Sequence, residues 1–290
     1  MKNNLTRLLI LGVTGMLGST LFRYFSSKPN FEVFGTMRSK SGINFFDENL
    51  RSNLYSDIDV ENYKSLQSVF NQYRPNIVLN CVGIVKQLDE ADNPLVAIPI
   101  NSLLPHQLAR LCKDIDSRLI HFSTDCIFSG AKGMYREEDF PDANDLYGRS
   151  KFLGEVANEF HVLTLRTSII GHELSGSRSL VNWFLSQNDS IKGFSKAVFS
   201  GLPTVEIARI LDELVFRNPS LYGVYHVSGL PINKFDLLTL IAKTYNKKVV
   251  INSDDSFVID RSLDSSRFMN ATGYVQHKWP QLIQKMHQFS

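Results

Sequence analysis

Leu8-Leu-Ile-Leu11-Gly12-Val-Thr-Gly15-Met-Leu-Gly18 is the stretch on which the reading of this chain turns. Consecutive apolar residues suit a strand buried on both faces, and the glycines after it mark a tight turn. Leu17–Phe25 then carries the apolar spacing of an amphipathic helix. Working outward, the alternation repeats. Phe31–Thr36 reads as a strand, Tyr63–Tyr73 as a helix stopped by Pro75, Ile77–Val82 as a strand and Leu103–Cys112 as a helix. Leu119–Ser123, Tyr147–Phe160 and Val162–Arg166 continue it as strand, helix and strand. Such a pattern predicts an α/β fold with a doubly wound parallel sheet covered by helices on both faces.

After about residue 170 the rhythm changes. Gly171–Ser179 is a polar, glycine- and serine-rich loop, and segments near Phe194–Gly201 and Ile251–Phe268 read as irregular. Thr204–Val215, Lys234–Tyr245 and Trp279–Phe289 read as helices, and Tyr222–Ser228 as one more strand returning to the sheet. The expected division is a nucleotide-binding domain over residues 1–170 and a smaller lobe over 171–290, partly interleaved with the sheet. Its loops would close over the strand ends, where open α/β sheets bind ligands.

Composition narrows the function. A hydrophobic content of 43% with 21% charged residues describes a globule with ample core. The formal net charge of +2, without a basic block, argues against nucleic acid as a partner. Cys81, Cys112 and Cys126 form no C-x-x-C pair and read as reduced thiols; the scattered histidines predict no metal site. Lys2 and Arg7 precede an apolar run that breaks at Gly12, too short for a signal peptide. No stretch approaches the roughly 20 apolar residues of a membrane span, so the expected location is the cytoplasm.

The glycine turn sits where a Rossmann fold binds a dinucleotide. Gly12, Thr14, Gly15, Met16, Leu17 and Gly18 would let backbone approach a pyrophosphate at a helix N-terminus. The spacing is G-x-x-G-x-x-G rather than G-x-G-x-x-G, and a plain strand-to-helix turn is the alternative. Strand two ends in Gly35-Thr-Met-Arg38. An arginine there can pair a 2′-phosphate, which favours NADPH, with NADH as the alternative; Arg38 as a solvated loop cation is the other reading. Asp57 and Ile58 lie where a carboxylate could meet the adenine amino group, or where Asp57 could simply cap a helix.

Tyr147 and Lys151 in Leu146-Tyr-Gly-Arg-Ser-Lys151 share one helix face, about 6 Å apart along the axis. An ammonium there draws the phenol down from its usual pKa of about 10, making a general acid/base. By itself the pair also fits a ring covering a lysine stem. Thr124, in His121-Phe-Ser-Thr124-Asp-Cys-Ile-Phe128, ends a buried strand, where its hydroxyl could meet a substrate oxygen or cap the strand.

With these residues assembled, the chain resembles the extended short-chain dehydrogenase/reductase family over nearly its whole length. Ser123-Thr-Asp-Cys-Ile-Phe128, Tyr147-Gly-Arg-Ser-Lys151 with Gly154-Glu155, and Arg166-Thr-Ser168 resemble the dTDP-4-dehydrorhamnose reductase branch. That resemblance implies NADPH-dependent reduction of the C4 ketone of a nucleotide-linked 4-keto-6-deoxyhexose, supplying an activated deoxysugar for cell-surface polysaccharide. Tyr147 would protonate the C4 oxygen, Lys151 would hold the nicotinamide ribose and Thr124 would polarise the carbonyl. Cys81, Val82 and Gly83 would form the loop beside the cofactor, supported by Asn101, with Arg166 near the nicotinamide. Substrate contacts would come from Lys86, Thr124, Asp125, Cys126, Tyr147, Ser168, Phe194, Phe199 and Arg261, and helices beside the site would form a homodimer.

Two departures bear on the sugar: Cys126 replaces an aromatic, and Ile169 stands where an aromatic often follows Arg-Thr-Ser. A dTDP-linked rhamnose precursor and a UDP-linked 4-keto-6-deoxy-N-acetylhexosamine both stay open. Only Asp125 is acidic after Thr124, so a 4,6-dehydratase would lack its second acid. A sugar-nucleotide 4-epimerase and a non-catalytic, cofactor-binding regulatory subunit are the alternative functions.

Overall fold

The computed structural model describes residues 5–86 and 89–289; Lys2 of the N-terminal reading lies outside them. The strands are β1 (Thr6–Leu11), β2 (Phe31–Thr36), β3 (Leu54–Tyr55), β4 (Ile77–Asn80), β5 (Arg118–Thr124) and β6 (Val162–Thr167), then β7 (Ile169–Ile170), β8 (Ser190–Phe194), β9 (Ala197–Phe199) and β10 (Leu202–Pro203). β11 (Gly223–His226), β12 (Ile232–Asn233), β13 (Val250–Asp254) and β14 (Ile259–Asp260) complete them.

A seven-stranded sheet runs β11-β6-β5-β4-β1-β2-β3. From β3 through β2, β1 and β4 to β5 the pairing is parallel. Leu8 to Leu11 are all fully buried, which is why β1 carries no polar alternation. The order reverses between β1 and β4, the switch point where doubly wound sheets bind ligands. One face is closed by Leu66 and Phe70 of the helix Tyr63–Tyr73 and by Leu104 and Leu108 of the helix Leu104–Asp114, packed on Leu9, Leu11 and Leu119.

Local signals explain the element ends. Asn62 caps the helix Tyr63–Tyr73, its side-chain oxygen accepting from Ser65 N at 3.2 Å. That helix ends on Arg74 in the left-handed region, immediately before Pro75. The segment Tyr147–Phe160, expected as one helix, is helical only over Leu146–Leu153. It stops at Gly154, where a Cβ would collide with the carbonyl oxygen of Asn101.

The chain groups into two compact units. One takes the described residues up to Ser123 with Asp145–Leu165 and Ser220–Val224; the other takes Thr124–Asn144, Arg166–Pro219 and the described residues from Tyr225. A single cut at residue 170 does not reproduce this grouping, because the chain changes unit in mid-strand at the ends of β5, β6 and β11. The second unit holds the parallel pairs β10/β7 and β13/β8 and the three-stranded sheet β12-β9-β14. Phe194–Gly201 and Ile251–Phe268, expected as irregular, therefore contain strands, and the helix Leu180–Ser186 was not anticipated. Tyr222–Ser228 does return to the large sheet, as β11 beside β6. Among the described residues, no helix is long and apolar enough to cross a membrane.

Candidate active site

In the first unit, the carboxyl ends of β1, β2 and β4 bring three loops together. Gly12 N and Val13 N both donate to Thr36 O, at 3.1 and 3.0 Å, tying the glycine turn to the end of β2. Cys81 N donates to Leu11 O at 3.1 Å, tying it to the loop after β4. The helix Met16–Ser26 opens on Gly15, which offers no side-chain cap, and Thr14 and Gly15 are exposed. Its first N–H groups are the kind that hold a pyrophosphate. Gly18 is required sterically: a Cβ there would collide with Gly12 O.

Arg38 is exposed just past β2, and the loop it enters turns back so that a Cβ at Gly42 would meet the Thr14 side chain at 2.6 Å. Arg38 and the glycine turn thus border one surface. Asp57 is not a helix cap, since Asn62 caps the helix that follows. Asp57 instead takes a left-handed backbone, φ 62°, and accepts from Ser56 Oγ at 2.8 Å. Ile58 N donates to Met37 O at 3.2 Å, which sets Asp57 and Ile58 beside the end of β2.

Tyr147 and Lys151 lie on the helix Leu146–Leu153, started by Asp145, whose carboxylate accepts from Gly148 N at 2.7 Å. Asp145 also pairs with Lys86 at 2.5 Å. Lys86 is thereby engaged with the cap of this helix, a different task from the substrate contact expected of it. Asn101 ties the helix to the loop after β4: its Oδ1 accepts from Ile84 N at 2.9 Å and its Nδ2 donates to Ser150 Oγ at 3.1 Å. Asn101 sits in a π-helical segment, Ile98–Leu103, a local widening common at functional sites.

Lys151 is buried, and its Nζ donates to Phe122 O of β5 at 2.7 Å. Burial brings its ammonium down to a pKa of about 8, against the opposing field of Glu155. Glu155 in turn accepts from Ser123 Oγ at 2.6 Å. Tyr147 is half-buried. A phenol one helical turn from a buried ammonium is an arrangement that can donate and accept a proton.

In the second unit, Thr124 uses its hydroxyl locally. Oγ1 accepts from Cys126 N and donates to Asp125 Oδ1, both at 3.1 Å, capping the turn Asp125–Ile127. Asp125 is buried; desolvation pushes its carboxyl up, opposed mainly by Arg261 and Lys234. Arg261 donates from Nε to Phe128 O at 2.9 Å and its Nη1 lies 3.9 Å from Cys126 Sγ. Lys234 stands 3.6 Å over the Phe199 ring, and burial lowers its ammonium to about 8. Asp125, Cys126, Phe199 and Arg261 are therefore brought together, with Lys234 added by the structure. Phe194 pairs instead with Phe257, ring centroids 5.4 Å apart. Ser168 contributes its carbonyl to Leu202 N at 2.8 Å and its side chain is half-buried.

Arg166 corrects an expectation. It is buried, donating to Glu137 O at 3.3 Å and to His226 Nε2 at 3.2 Å, so it braces this unit. Arginine only donates, which fixes the His226 proton on Nδ1, bonded to Tyr135 O at 3.0 Å. Lys234, Ser123 and Glu155 were not assigned from the sequence. Glu155 had a signal in its four-residue spacing from Lys151, although the helix ends between them; Lys234 had none.

The family described as "RmlD substrate binding domain" matches residues 6–270. The chain belongs to that family. The resemblance carried by Ser123–Phe128 and Tyr147–Lys151 is borne out at this level. This RmlD-family chain is 28% identical over 230 residues to the probable low-salt glycan biosynthesis reductase Agl14 of Haloferax volcanii, covering 76% of this chain and 73% of that protein. It is 25% identical over 260 residues to methionine adenosyltransferase 2 subunit beta of Bos taurus, covering 83% and 72%. A dTDP-4-dehydrorhamnose reductase of Bacillus anthracis, solved in complex with NADP, superposes with a TM-score of 0.79 over 99% of each chain. At 21% identity that likeness is one of fold.

Proposed function

We propose that this protein is an NADPH-dependent reductase of the C4 ketone of a nucleotide-linked 4-keto-6-deoxyhexose. The observation that carries the reading is Lys151, buried, anchored on Phe122 O and one helical turn from Tyr147. The NADP complex of the Bacillus anthracis neighbour and the family itself support the cofactor and the substrate class.

The residues fit such a cofactor. The Gly12–Gly18 turn and the helix after it would hold the pyrophosphate, and Arg38 the 2′-phosphate. Bound NADPH supplies hydride to the carbonyl carbon. Tyr147 delivers a proton to the C4 oxygen, and the Lys151 ammonium stabilises the phenolate left behind. Thr124 can polarise that oxygen by giving up its bond to Asp125, a rotation open to a hydroxyl. Arg261 and Asp125 would contact the nucleotide sugar. The product would be an activated deoxysugar for polysaccharide assembly.

The test is NADPH consumption, followed at the reduced-nicotinamide band, over a panel of dTDP- and UDP-linked 4-keto sugars. Tyr147→Phe should lower turnover by about 10²- to 10⁴-fold while leaving NADPH binding intact. A second reading, a subunit that binds cofactor without turnover, is favoured by the kinship with methionine adenosyltransferase 2 subunit beta. NADPH binding with no consumption across the panel would select it. Isomerisation without net consumption would instead indicate an epimerase.

A further inference from the structure

Lys151 is an expensive residue to bury. Its ammonium lies against β5, an interior strand of the large sheet, and desolvation drives it toward the neutral form. A neutral amine there would stabilise no phenolate at Tyr147. Two groups oppose that outcome. One is the Phe122 carbonyl, which accepts from Nζ at 2.7 Å but carries only a dipole. The other is the carboxylate of Glu155, the one carboxylate whose field supports Lys151 among the described residues.

Glu155 is held in turn. Ser123, the residue after Phe122 on β5, donates its hydroxyl to Glu155 Oε1 at 2.6 Å. Adjacent residues of one strand therefore serve the pair from two directions, Phe122 through its carbonyl and Ser123 through its side chain. Glu155 follows Gly154, the residue that ends the helix and at which no Cβ fits beneath Asn101. His121 of β5, fully buried, adds no opposing charge: burial first, then the Lys151 ammonium and His106, hold its imidazole well below the usual range, so it stays neutral beside Lys151.

We propose that Glu155, oriented by Ser123, is a positioning residue that keeps Lys151 charged at working pH and so maintains the acid/base competence of Tyr147. This rests on the reductase reading for its catalytic consequence, but not for its electrostatic one. Removing the carboxylate leaves only the Phe122 dipole against desolvation. Lys151 then loses its proton at lower pH, and turnover that needs the ammonium fails earlier as pH rises.

The experiment combines two readouts on the full chain. The first is the pH dependence of NADPH-dependent turnover. The second is the titration of the Lys151 Cε resonance in protein carrying ¹³C-lysine, assigned by its loss in Lys151→Met. In Glu155→Gln both the alkaline limb and the Lys151 midpoint should move down by about one pH unit or more, with Glu155→Asp restoring part of the shift. Ser123→Ala, which keeps the carboxylate but frees it, should shift both in the same direction by less, and it serves if Glu155→Gln does not fold. An unmoved Lys151 midpoint in a folded variant overturns the proposal. A moved midpoint in a chain that turns over none of the panel supports the electrostatic role and counts against the reductase reading instead.

Discussion

Arg38 is placed to choose between cofactors. It stands exposed past β2, on the same border as the glycine turn, and makes no ion pair among the described residues. A guanidinium free of protein partners can close on a phosphate dianion with bidentate geometry. Arg38→Ala should therefore raise the KM for NADPH about 10- to 100-fold and leave that for NADH within a few-fold, measured with one substrate. Equal effects on both cofactors would remove Arg38 from the 2′-phosphate. At this scale the sequence was most informative where chemistry and spacing coincide, as in Tyr147 and Lys151. It misled where one residue type serves two tasks. Arg166 lies near the carboxyl end of β6, where an arginine can meet a ligand, yet His226 and the Glu137 carbonyl hold it inside. Both partners lie far from it in sequence, so nothing local announces them.

Among the elements, two junctions should be sensitive. The helix carrying Tyr147 and Lys151 approaches the Ile98–Leu103 segment so closely that Gly154→Ala must displace one of them. Overpacking of this kind costs about 1–3 kcal/mol, read as a lowered urea midpoint, and should also depress turnover because Asn101 anchors both segments. In the second unit, Glu206 of the helix Thr204–Ile210 is fully buried. It receives Arg209 at 2.6 Å and Lys285 of the C-terminal helix Trp279–Phe289 at 3.3 Å. Glu206→Ala removes that shared buried acceptor while Arg209 keeps Glu213, and should cost about 1–3 kcal/mol by chemical denaturation. The elements themselves were legible where they are long and periodic: β2 and the helix Tyr63–Tyr73 match the sequence reading residue for residue. The helix after Asp145 was overextended, because apolar spacing continued past the glycine that ends it. The short strands β9, β12 and β14 span two or three residues, too few for an alternation to register.

For the molecule as a whole, acid is the expected weakness. Burial first, then the neighbouring Arg166 charge, lowers His226 to about 3, so it folds neutral. In the unfolded chain a histidine takes up a proton near pH 6.5. Between about 6.5 and 3 the unfolded chain then binds more protons than the folded one, and stability falls as pH falls through that window. At pH 5 this group alone removes about 2 kcal/mol, and buried His121 acts in the same direction. Denaturation midpoints at pH 7.5 and pH 5 test this, and equal midpoints would contradict it.

Strand order carries a consequence for how the chain is made. β11 lies next to β6 at one margin of the large sheet, yet it is translated more than fifty residues later. While the ribosome is still adding that intervening sequence, β6 has no companion on its outer side. A nascent chain stalled before residue 223 therefore displays an open hydrogen-bonding rim, the feature that recruits chaperones or self-association. Emergence of β11, rather than emergence of the glycine turn, is the event that covers the outer side of β6.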